Sequence, residues 1–449
     1  MSDSFTATHA RMPELERRIA DNPAGFRVLT GERPTGLLHL GHYFGTLRER
    51  VRLQRSGVET FIILADYQVI TDRDTTERVG DNVRNAILDY LAAGLDPEQT
   101  TIFTHSAVPA LNQLLLPFLS LVTEAELHRN PTVKAEHAAS SRALSGLLLT
   151  YPAHQAADIL FCKGNLVPVG KDNLPHVELT RAIARRFNER YGDTFPEPEA
   201  LVTDTPEIPG LDGRKMSKSY GNAIALSMTE DETADVIRRT RTDSDRTITY
   251  TPENRPGVSG LLSTAALCTG STPEAVATEI GDQGSGALKR YTTDAVNAFL
   301  ADHRARRAEL AADPAIVANA LAIGNERANR IANETLQEVR ERMGMDYANL
   351  STQAAPTIDD VRNQIDGLDR RIVELIAERQ KWVITAGTLK KDEQGVRAPA
   401  RVEQINTKVR ELAKQSGASP EVVESTYRAL IAAFIDLELE HHRASSRSA

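Results

Sequence analysis

The sequence contains little cysteine and no long apolar run. Two cysteines, Cys162 and Cys268, occur in 449 residues, which is too few for a disulfide framework or a cysteine-rich zinc site. No apolar run approaches the roughly 18 residues that a membrane span requires, and the N-terminus lacks the apolar segment of a secretory signal. We therefore expect a cytoplasmic protein that does not enter the membrane.

The chain also lacks an excess of positive charge. It carries 53 Lys+Arg and 62 Asp+Glu, a formal net charge of −9, so a nucleic-acid partner would need a local basic surface. The negative excess lies before residue 358, because 15 Lys+Arg and 15 Asp+Glu follow that point. This difference in charge indicates two separately built parts.

Apolar segments of strand length alternate with helical patterns in the first part of the chain. Strands are predicted at 26–30, 60–65 and 101–104, and helices at 41–55 and 81–93. Apolar strands between helices are typical of a parallel sheet covered on both faces. We therefore predict an α/β fold with a doubly wound parallel sheet, whose ligands bind beyond the carboxyl ends of the strands.

The rest of the chain is mainly helical and is divided by a loose polar stretch. After that stretch, apolar residues recur at helical spacing between 361 and 376, and two further helices are predicted at 400–415 and 420–442. We predict five segments: an extension at 1–24, an α/β domain with a helical insertion at 25–229, a helical subdomain at 230–346, a linker at 347–357 and a separate all-α domain at 358–443.

Two short motifs carry the strongest chemical signal. Lys215 and Lys218 stand three apart in a glycine-opened loop, and such ammonium groups suit phosphate. By itself this pattern is more often a solvated surface loop. His39 and His42 also stand three apart, after the first predicted strand and at the start of a helix. Histidines at a helix start can donate to phosphate, although for these two residues alone capping or packing is the better explanation.

Together and in this order, the two motifs resemble the signature pair of the class I aminoacyl-tRNA synthetases. Further blocks narrow the resemblance to the tryptophanyl-tRNA synthetase family, in its auxiliary bacterial form; they lie at 30–36, 149–152, 155–160, 167–172 and 242–244. The resemblance implies a tryptophan–tRNA ligase that uses ATP with Mg²⁺. Such an enzyme activates tryptophan to the adenylate and transfers it to tRNA(Trp).

Site residues are carried over from the resemblance position by position. The implied catalytic residues are His39, His42, Lys215 and Lys218. The implied ATP-binding residues are Thr35, Gly36, Gly41, Gly170, Asp172, Met216, Ser217 and Ser219. The implied substrate-binding residues are Leu29, Gln68, Tyr151, Gln155, Asp158, Asn173 and His176. No protein-bound metal site is predicted.

Asp158 is the residue on which substrate choice would depend. The resemblance implies that its carboxylate accepts the indole N–H, and a buried acceptor of this kind rejects side chains that lack a donor. Arg33, Gln68 and Asn173 depart from the common form of the family, so the choice between plain and ring-modified tryptophan stays open. A basic cluster at 238–246 is either a solvated face or an RNA contact.

Cationic residues of the last part cannot all face one pocket within one chain. Arg362 and Arg379 are seventeen residues apart, roughly 260° around a helix axis, whereas Lys390 lies only about 20° from Arg379. One pocket that uses all three cations would need Arg362 from a second copy. The geometry therefore predicts an intertwined homodimer.

The same segment resembles the all-helical chorismate mutase family, through Val361-Arg362-x-x-Ile365-Asp366 and the later Ala377-Glu378-Arg379. The resemblance implies a pocket for a chorismate-like ligand, lined by Arg362, Arg379, Lys390, Arg401 and Glu438. Ala398 and Val402 stand where mutases carry carboxylates, and residues 398–402 are nearer to isochorismate pyruvate lyase. We therefore predict ligand binding, regulatory or weakly catalytic, ahead of full mutase activity.

Two other functions stay open at this point. One is a bifunctional enzyme with an active mutase or lyase domain, against which Ala398 and Val402 argue. The other is a sensor that keeps the synthetase fold without charging tRNA, against which Lys215 and Asp158 argue.

Overall fold

A computed structural model of the chain describes residues 2–71, 76–139, 143–170, 173–202, 208–217, 220–347, 358–388, 390, 395 and 398–448. The chain forms two compact units, residues 1–346 and 347–449. The predicted linker at 347–357 lies, apart from Tyr347, outside the described residues. None of the described helices combines the length and the apolar character that a membrane span needs.

The first unit is built on one five-stranded parallel sheet. Its strands are β1 (Arg27–Glu32), β2 (Glu59–Leu64), β3 (Thr100–Thr104), β4 (Leu166–Val169) and β5 (Glu199–Val202). Their spatial order is β3-β2-β1-β4-β5, and all neighbours are parallel. The prediction of an α/β fold with a doubly wound parallel sheet is confirmed. The strand order reverses between β1 and β4, so a crevice opens at their carboxyl ends.

Alternate residues of the central strands enter two different cores. Phe61 and Phe103 pack on one face of the sheet with Phe161, whereas Ile62 and Ile102 pack on the other face. Both faces are covered because successive side chains of a strand point to opposite sides. This two-sided burial explains why β2 reads as a nearly continuous apolar run.

The helices of the first unit cover both faces of the sheet. Their bounds are α1 (Ser2–Asp21), α2 (Leu40–His42), α3 (Arg48–Arg55), α4 (Val79–Ala93), α5 (Pro109–Gln113), α6 (Leu115–Leu119), α7 (Glu124–Arg129), α8 (Pro131–Ala139), α9 (Gly146–Leu160), α10 (Leu174–Tyr191), α11 (Glu230–Arg239), α12 (Pro256–Thr269), α13 (Pro273–Ile280), α14 (Gly284–Ala311) and α15 (Pro314–Arg342).

The first helix joins the core of the first unit. Met12, Leu15 and Ile19 are buried at helical spacing, and Arg18 forms an ion pair with Glu199 on β5, with Nη2 and Oε1 2.9 Å apart. The predicted N-terminal extension thus packs on the edge of the sheet. The finer boundaries at 24 and 229 stay predictions.

The second unit is entirely helical in its described part. It contains α16 (Ile358–Thr388), α17 (Pro399–Ser416) and α18 (Pro420–Ser448). The small core includes Val409, Ile431 and Phe434. By contrast, the apolar stripe of α16 is exposed; Ile365, Leu368 and Ile372 keep 50%, 54% and 52% of their surface accessible. Within one chain, the long helix therefore leaves its apolar face uncovered.

Candidate active site

A cavity of about 310 Å³ opens at the carboxyl ends of β1 and β4, where the strand order reverses. Its lining includes six of the seven predicted substrate residues, namely Leu29, Gln68, Tyr151, Gln155, Asp158 and Asn173. The seventh, His176, does not line the cavity but bonds two residues that do. We call this cavity the β1–β4 cavity.

Helix α9 supplies the polar side of the cavity. Ser145 caps this helix, its side chain accepting from the Leu148 N–H at 3.1 Å. Tyr151, Gln155 and Asp158 follow at spacings of four and three residues, which places them on one helical face. Asp158 is 2% exposed, and its Oδ1 lies 2.7 Å from His105 Nε2. Its Oδ2 is within 3.5 Å of Gln68 Nε2.

His176 orders the part of the α9 face that lies nearer the start of the helix. The Gln155 carbonyl oxygen lies 2.6 Å from His176 Nδ1, and the Tyr151 hydroxyl lies 3.4 Å from Nε2. Because an amide oxygen only accepts, Nδ1 carries the proton and Nε2 accepts from the hydroxyl. Burial lowers the pKa of His176 to about 4, so the ring is neutral at pH 7. Oxygen lone pairs of Tyr151 and Gln155 can therefore receive an ammonium group.

His39 and His42 cap the start of α2. The Gly41 N–H donates to His39 Nδ1 at 3.1 Å, and the His39 N–H donates to His42 Nδ1 at 3.2 Å. The capping role is thus present, and it makes Nδ1 an acceptor in both rings. Each Nε2 then carries the proton and can donate to an anion. A side chain at Gly41 would meet the His39 ring at 2.9 Å, so glycine is needed there for packing.

The two signature motifs are in direct contact. The Gly41 N–H points at Met216 Sδ, 3.3 Å away. Residues just after the lysine loop pair with the first motif, since His39 forms an antiparallel bridge with Ala225 and the Leu40 N–H donates to the Ile224 carbonyl at 3.0 Å. Two motifs more than 170 residues apart in the sequence therefore form one surface.

Hydrogen bonds hold the backbone of the lysine loop, the segment that contains Lys215, whereas the Lys215 side chain is exposed. The Met216 N–H donates to the Ile208 carbonyl at 2.9 Å, and the Ser217 N–H donates to Asn222 Oδ1 at 2.8 Å. Met216 is buried and Lys215 is exposed. Two further predicted residues of this loop and one beside β4 lie outside the described residues, namely Lys218, Ser219 and Asp172.

A second cavity of about 480 Å³ lies beside the first motif. Thr35, Gly36 and His39 line it, together with Gly221 and Ala225 from the chain after the lysine loop. Gly170 lies at the end of β4, where its carbonyl accepts from the Asn173 N–H at 3.1 Å. Of the predicted ATP-binding residues that the structure describes, Thr35 and Gly36 thus line this cavity, Gly41 and Met216 lie at the contact of the two motifs, and Gly170 lies at the end of β4.

Several site residues escape the sequence analysis. Glu32 and Glu136 line the β1–β4 cavity beside Arg33, and Arg33 Nη2 lies 3.3 Å from Glu136 Oε1. His105 and His154 lie behind Asp158, with ring centroids 4.5 Å apart. The sequence offers one signal for His105, namely its position directly after β3, at the edge of the sheet where ligands bind.

Among the described residues, one group of three side chains brings its donor atoms close enough together to hold a metal ion. His105, His154 and Asp158 each offer one ligand atom, and these atoms lie within 4.8 Å of one another. Two of these side chains already share a hydrogen bond of 2.7 Å. His154 Nε2 is likewise bonded, to Asn112 Oδ1 at 2.8 Å.

The second unit has a cavity of its own, of about 340 Å³. Four of the five predicted ligand residues line it, namely Arg379, Lys390, Arg401 and Glu438. Lys390 Nζ and Glu438 Oε1 form an ion pair at 2.5 Å. Arg362 does not line this cavity; it is exposed and pairs with Asp359 at 3.2 Å. This placement agrees with the helical geometry, which puts Arg362 and Arg379 on different faces. We call this cavity the α16–α18 cavity.

Comparisons with known proteins match both units separately. The family profile of class I tRNA synthetases (W and Y) matches residues 22–301, and the profile of chorismate mutase type II matches residues 361–439. The tryptophan–tRNA ligase of Treponema pallidum is 43% identical over 327 residues, covering 71% of this chain and 97% of that protein. The tryptophan–tRNA ligase of Streptococcus pyogenes serotype M1 is 41% identical, covering 71% of this chain and 98% of that protein.

Solved structures agree with the sequence matches. The crystal structure of tryptophanyl-tRNA synthetase from Campylobacter jejuni, complexed with ADP and tryptophan, superposes with a TM-score of 0.63 at 32% identity. The match covers 71% of this chain and 100% of that one. The two resemblances predicted from the sequence are confirmed.

Proposed function

The chain belongs to the class I tRNA synthetases for tryptophan and tyrosine, and from this membership we propose that it is a tryptophan–tRNA ligase. It binds tryptophan and ATP with Mg²⁺, forms tryptophanyl-adenylate with release of pyrophosphate, and transfers the amino acid to tRNA(Trp). Little covalent work falls to the protein in such a reaction, so positioning and charge stabilisation carry the rate.

The position of Asp158 in the β1–β4 cavity is the observation that carries this proposal. The carboxylate is buried at the end of the α9 face that also holds Tyr151 and Gln155. An α-amino acid whose ammonium group meets those two oxygens would extend its side chain towards Asp158. A carboxylate at that depth selects a side chain that ends in an N–H donor. Indole supplies such a donor.

The ATP phosphates lie along the contact between the two motifs. His39 and His42 each carry an Nε2–H donor there, because their Nδ1 atoms are the acceptors of the capping hydrogen bonds. Lys215 adds a positive charge from the adjoining loop. Stabilisation of the leaving pyrophosphate by these groups would lower the barrier of the chemical step.

The test is ATP–pyrophosphate exchange by the full chain with tryptophan, tyrosine and ring-substituted tryptophans. Asp158→Asn should lower kcat/KM for tryptophan about 100-fold, since a hydrogen bond to a charged acceptor is lost. Lys215→Ala should lower kcat while KM for tryptophan changes little. Asp193→Asn, at an exposed site in the same unit, is the matched control. No exchange with any of these substrates would overturn the proposal.

In the same proposal, the second unit binds a chorismate-like carboxylate and forms a homodimer. Support comes from the α16–α18 cavity, where three cations surround apolar side chains, and from the exposed apolar stripe of α16. A second copy would cover that stripe and bring its Arg362 to the cavity. Fluorescence titration with chorismate and prephenate tests the binding, because Trp382, the one tryptophan of the sequence, lines the cavity. Unchanged fluorescence, together with no binding by calorimetry, would contradict it.

A further inference from the structure

A buried chain of hydrogen bonds lies behind Asp158 and reaches a second helix. His105 Nε2 bonds Asp158 Oδ1 at 2.7 Å, and His105 is fully buried. The His154 ring stacks on the His105 ring with an interplanar angle of 24°. His154 Nε2 in turn bonds Asn112 Oδ1 at 2.8 Å. Three elements therefore meet behind one carboxylate: the turn after β3, helix α5 and helix α9.

The direction of these hydrogen bonds follows from Asn112. Its Nδ2 donates to the carbonyls of His105 and Val108 at 2.8 and 3.1 Å. The amide oxygen must then face His154, which makes His154 Nε2 the donor. Burial lowers the pKa of His154, so this ring is neutral at pH 7. A neutral ring can stack closely on His105 without charge repulsion.

The same reasoning determines which atom carries the proton between His105 and Asp158. A carboxylate accepts, so the 2.7 Å contact requires a proton on His105 Nε2. Among the described residues, His105 Nδ1 is buried without a partner. A proton there would be a buried donor left unsatisfied, which is unfavourable. His105 therefore donates to Asp158 through Nε2.

We infer that His105 is a positioning residue for substrate choice: it holds Oδ1 of Asp158 and thereby leaves Oδ2 directed at the β1–β4 cavity. This inference rests on the proposed function, in which Asp158 accepts the indole N–H. With one oxygen held, the carboxylate does not turn away from the substrate. Gln68, at 3.5 Å from Oδ2, completes the edge of the acceptor.

The consequence is discrimination between two nearly isosteric side chains. A ligand with sulfur in place of the indole N–H fits the same space but leaves Oδ2 with only the long contact to Gln68 Nε2, at 3.5 Å. A site built around a polar group rejects such an analogue, because its own buried group is then poorly paired. If Asp158 could rotate freely, the penalty would shrink, since the carboxylate would find another donor.

The experiment compares tryptophan with its benzothienyl analogue in ATP–pyrophosphate exchange by the full chain. In the wild type, kcat/KM should favour tryptophan. His105→Leu should reduce this preference about tenfold or more, through a fall in kcat/KM for tryptophan with little change for the analogue. His105→Gln, whose amide can still donate, should restore part of the preference. Should His105→Leu not fold, His105→Met carries the same test.

His303→Leu provides a matched control. His303 is also buried and its Nε2 lies 3.3 Å from a buried carboxylate, Asp89, but it belongs to helix α14 outside the cavity. It should leave the preference unchanged. A fall for both substrates alike in His105→Leu would mean a merely structural role and would overturn the inference.

Two further outcomes separate this inference from its premise. If Asp158→Asn abolishes the preference while His105→Leu keeps it, the proposed function stands and the role of His105 is wrong. If the wild type activates tryptophan no better than the analogue, the premise about Asp158 fails. A loss of preference in the wild type after treatment with EDTA, removal of the chelator and readdition of Mg²⁺ would assign His105, His154 and Asp158 to another metal ion, and would also overturn the inference.

Discussion

Arg50 and Glu32 form an ion pair buried at the end of β1, with Nη1 and Oε1 3.0 Å apart. Arg50 is 2% exposed, and the Tyr90 hydroxyl also bonds Glu32. Burial alone would raise the pKa of Glu32, but the Arg50 guanidinium, with His42 and Tyr90, brings it down to about 2. The pair joins helix α3 to the strand that carries the β1–β4 cavity.

Loss of the Arg50 charge should destabilise the first unit. Arg50→Met leaves Glu32 buried without its partner, which should lower the free energy of unfolding by about 3 kcal/mol. Urea unfolding can be followed through thiol labelling of Cys162 in a Cys268→Ala background. Cys162 suits this purpose because burial raises its pKa to about 12, so the thiol reacts only when the unit opens.

Arg52→Met is the control for that measurement. Arg52 forms ion pairs at the surface, with Glu49 on the same helix and with Glu16 on α1, and each exposed pair contributes less than about 1 kcal/mol. Equal losses in the two variants would show that the pair of Arg50 and Glu32 contributes no more than a surface pair.

The same pair predicts a dependence of stability on pH. The folded pKa of Glu32 is about 2 and its ordinary value is 4.5, so its contribution is present above pH 4.5 and is lost as pH falls towards 2. Relative to that of Glu32→Gln, the free energy of unfolding of the wild type should fall by about 2 kcal/mol between pH 6 and pH 3. A dipyridyl disulfide, which reacts with thiols in acid, extends the Cys162 assay to this range. A constant difference over that range would contradict the lowered pKa.

Sequence patterns predict the three strands of five or six residues and miss the two strands of four residues. The prediction at 60–65 corresponds to Glu59–Leu64 in the structure. Strand β4 has only four residues and contains Pro168, and β5 is equally short. Neither is long enough to show a clear pattern, and each is formed because the neighbouring parallel strand is already in place.

The residues of the candidate site likewise fall into those that the sequence predicts and those that it does not. Tyr151, Gln155 and Asp158 lie in two adjacent blocks of the family resemblance, at 149–152 and 155–160, so the resemblance identifies all three. His105 and Asn112 lie on separate elements, and a single histidine in an apolar segment carries no periodic signal. Their role depends on which side chains the sheet and helices bring within hydrogen-bond distance, and that is a property of the tertiary structure.

Removal of the Glu438 carboxylate should strengthen the binding of a dicarboxylate in the second unit. Glu438 is 4% exposed and its ion pair occupies Lys390. Glu438→Gln removes one negative charge and releases the lysine, so the affinity for prephenate should rise about tenfold. Trp382 fluorescence measures it. Glu440→Gln, exposed on the same helix, should have no effect. An unchanged affinity in Glu438→Gln would mean that Lys390 does not contact the ligand.

Covering of the apolar stripe of α16 should require a second copy of the chain. Leu368→Glu places a charge in the centre of the stripe and should shift the protein from dimer to monomer in sedimentation velocity, because a buried unpaired charge opposes association. Asn363→Glu adds the same charge at an exposed position, about 140° around the helix from Leu368 and so away from the stripe, and is the control. A wild type that is monomeric at micromolar concentration would contradict the dimer.

A mixing experiment determines whether Arg362 and Arg379 act from different chains. Each single variant, Arg362→Ala or Arg379→Ala, should bind prephenate weakly. If a pocket takes Arg362 from one copy and Arg379 from the other, half of the dimers in an equal mixture are mixed, and each mixed dimer has one intact pocket. Mixing should then restore tight binding in about a quarter of all pockets. If both arginines served one pocket from the same chain, every pocket in the mixture would lack one of them, and calorimetry would detect no tight binding.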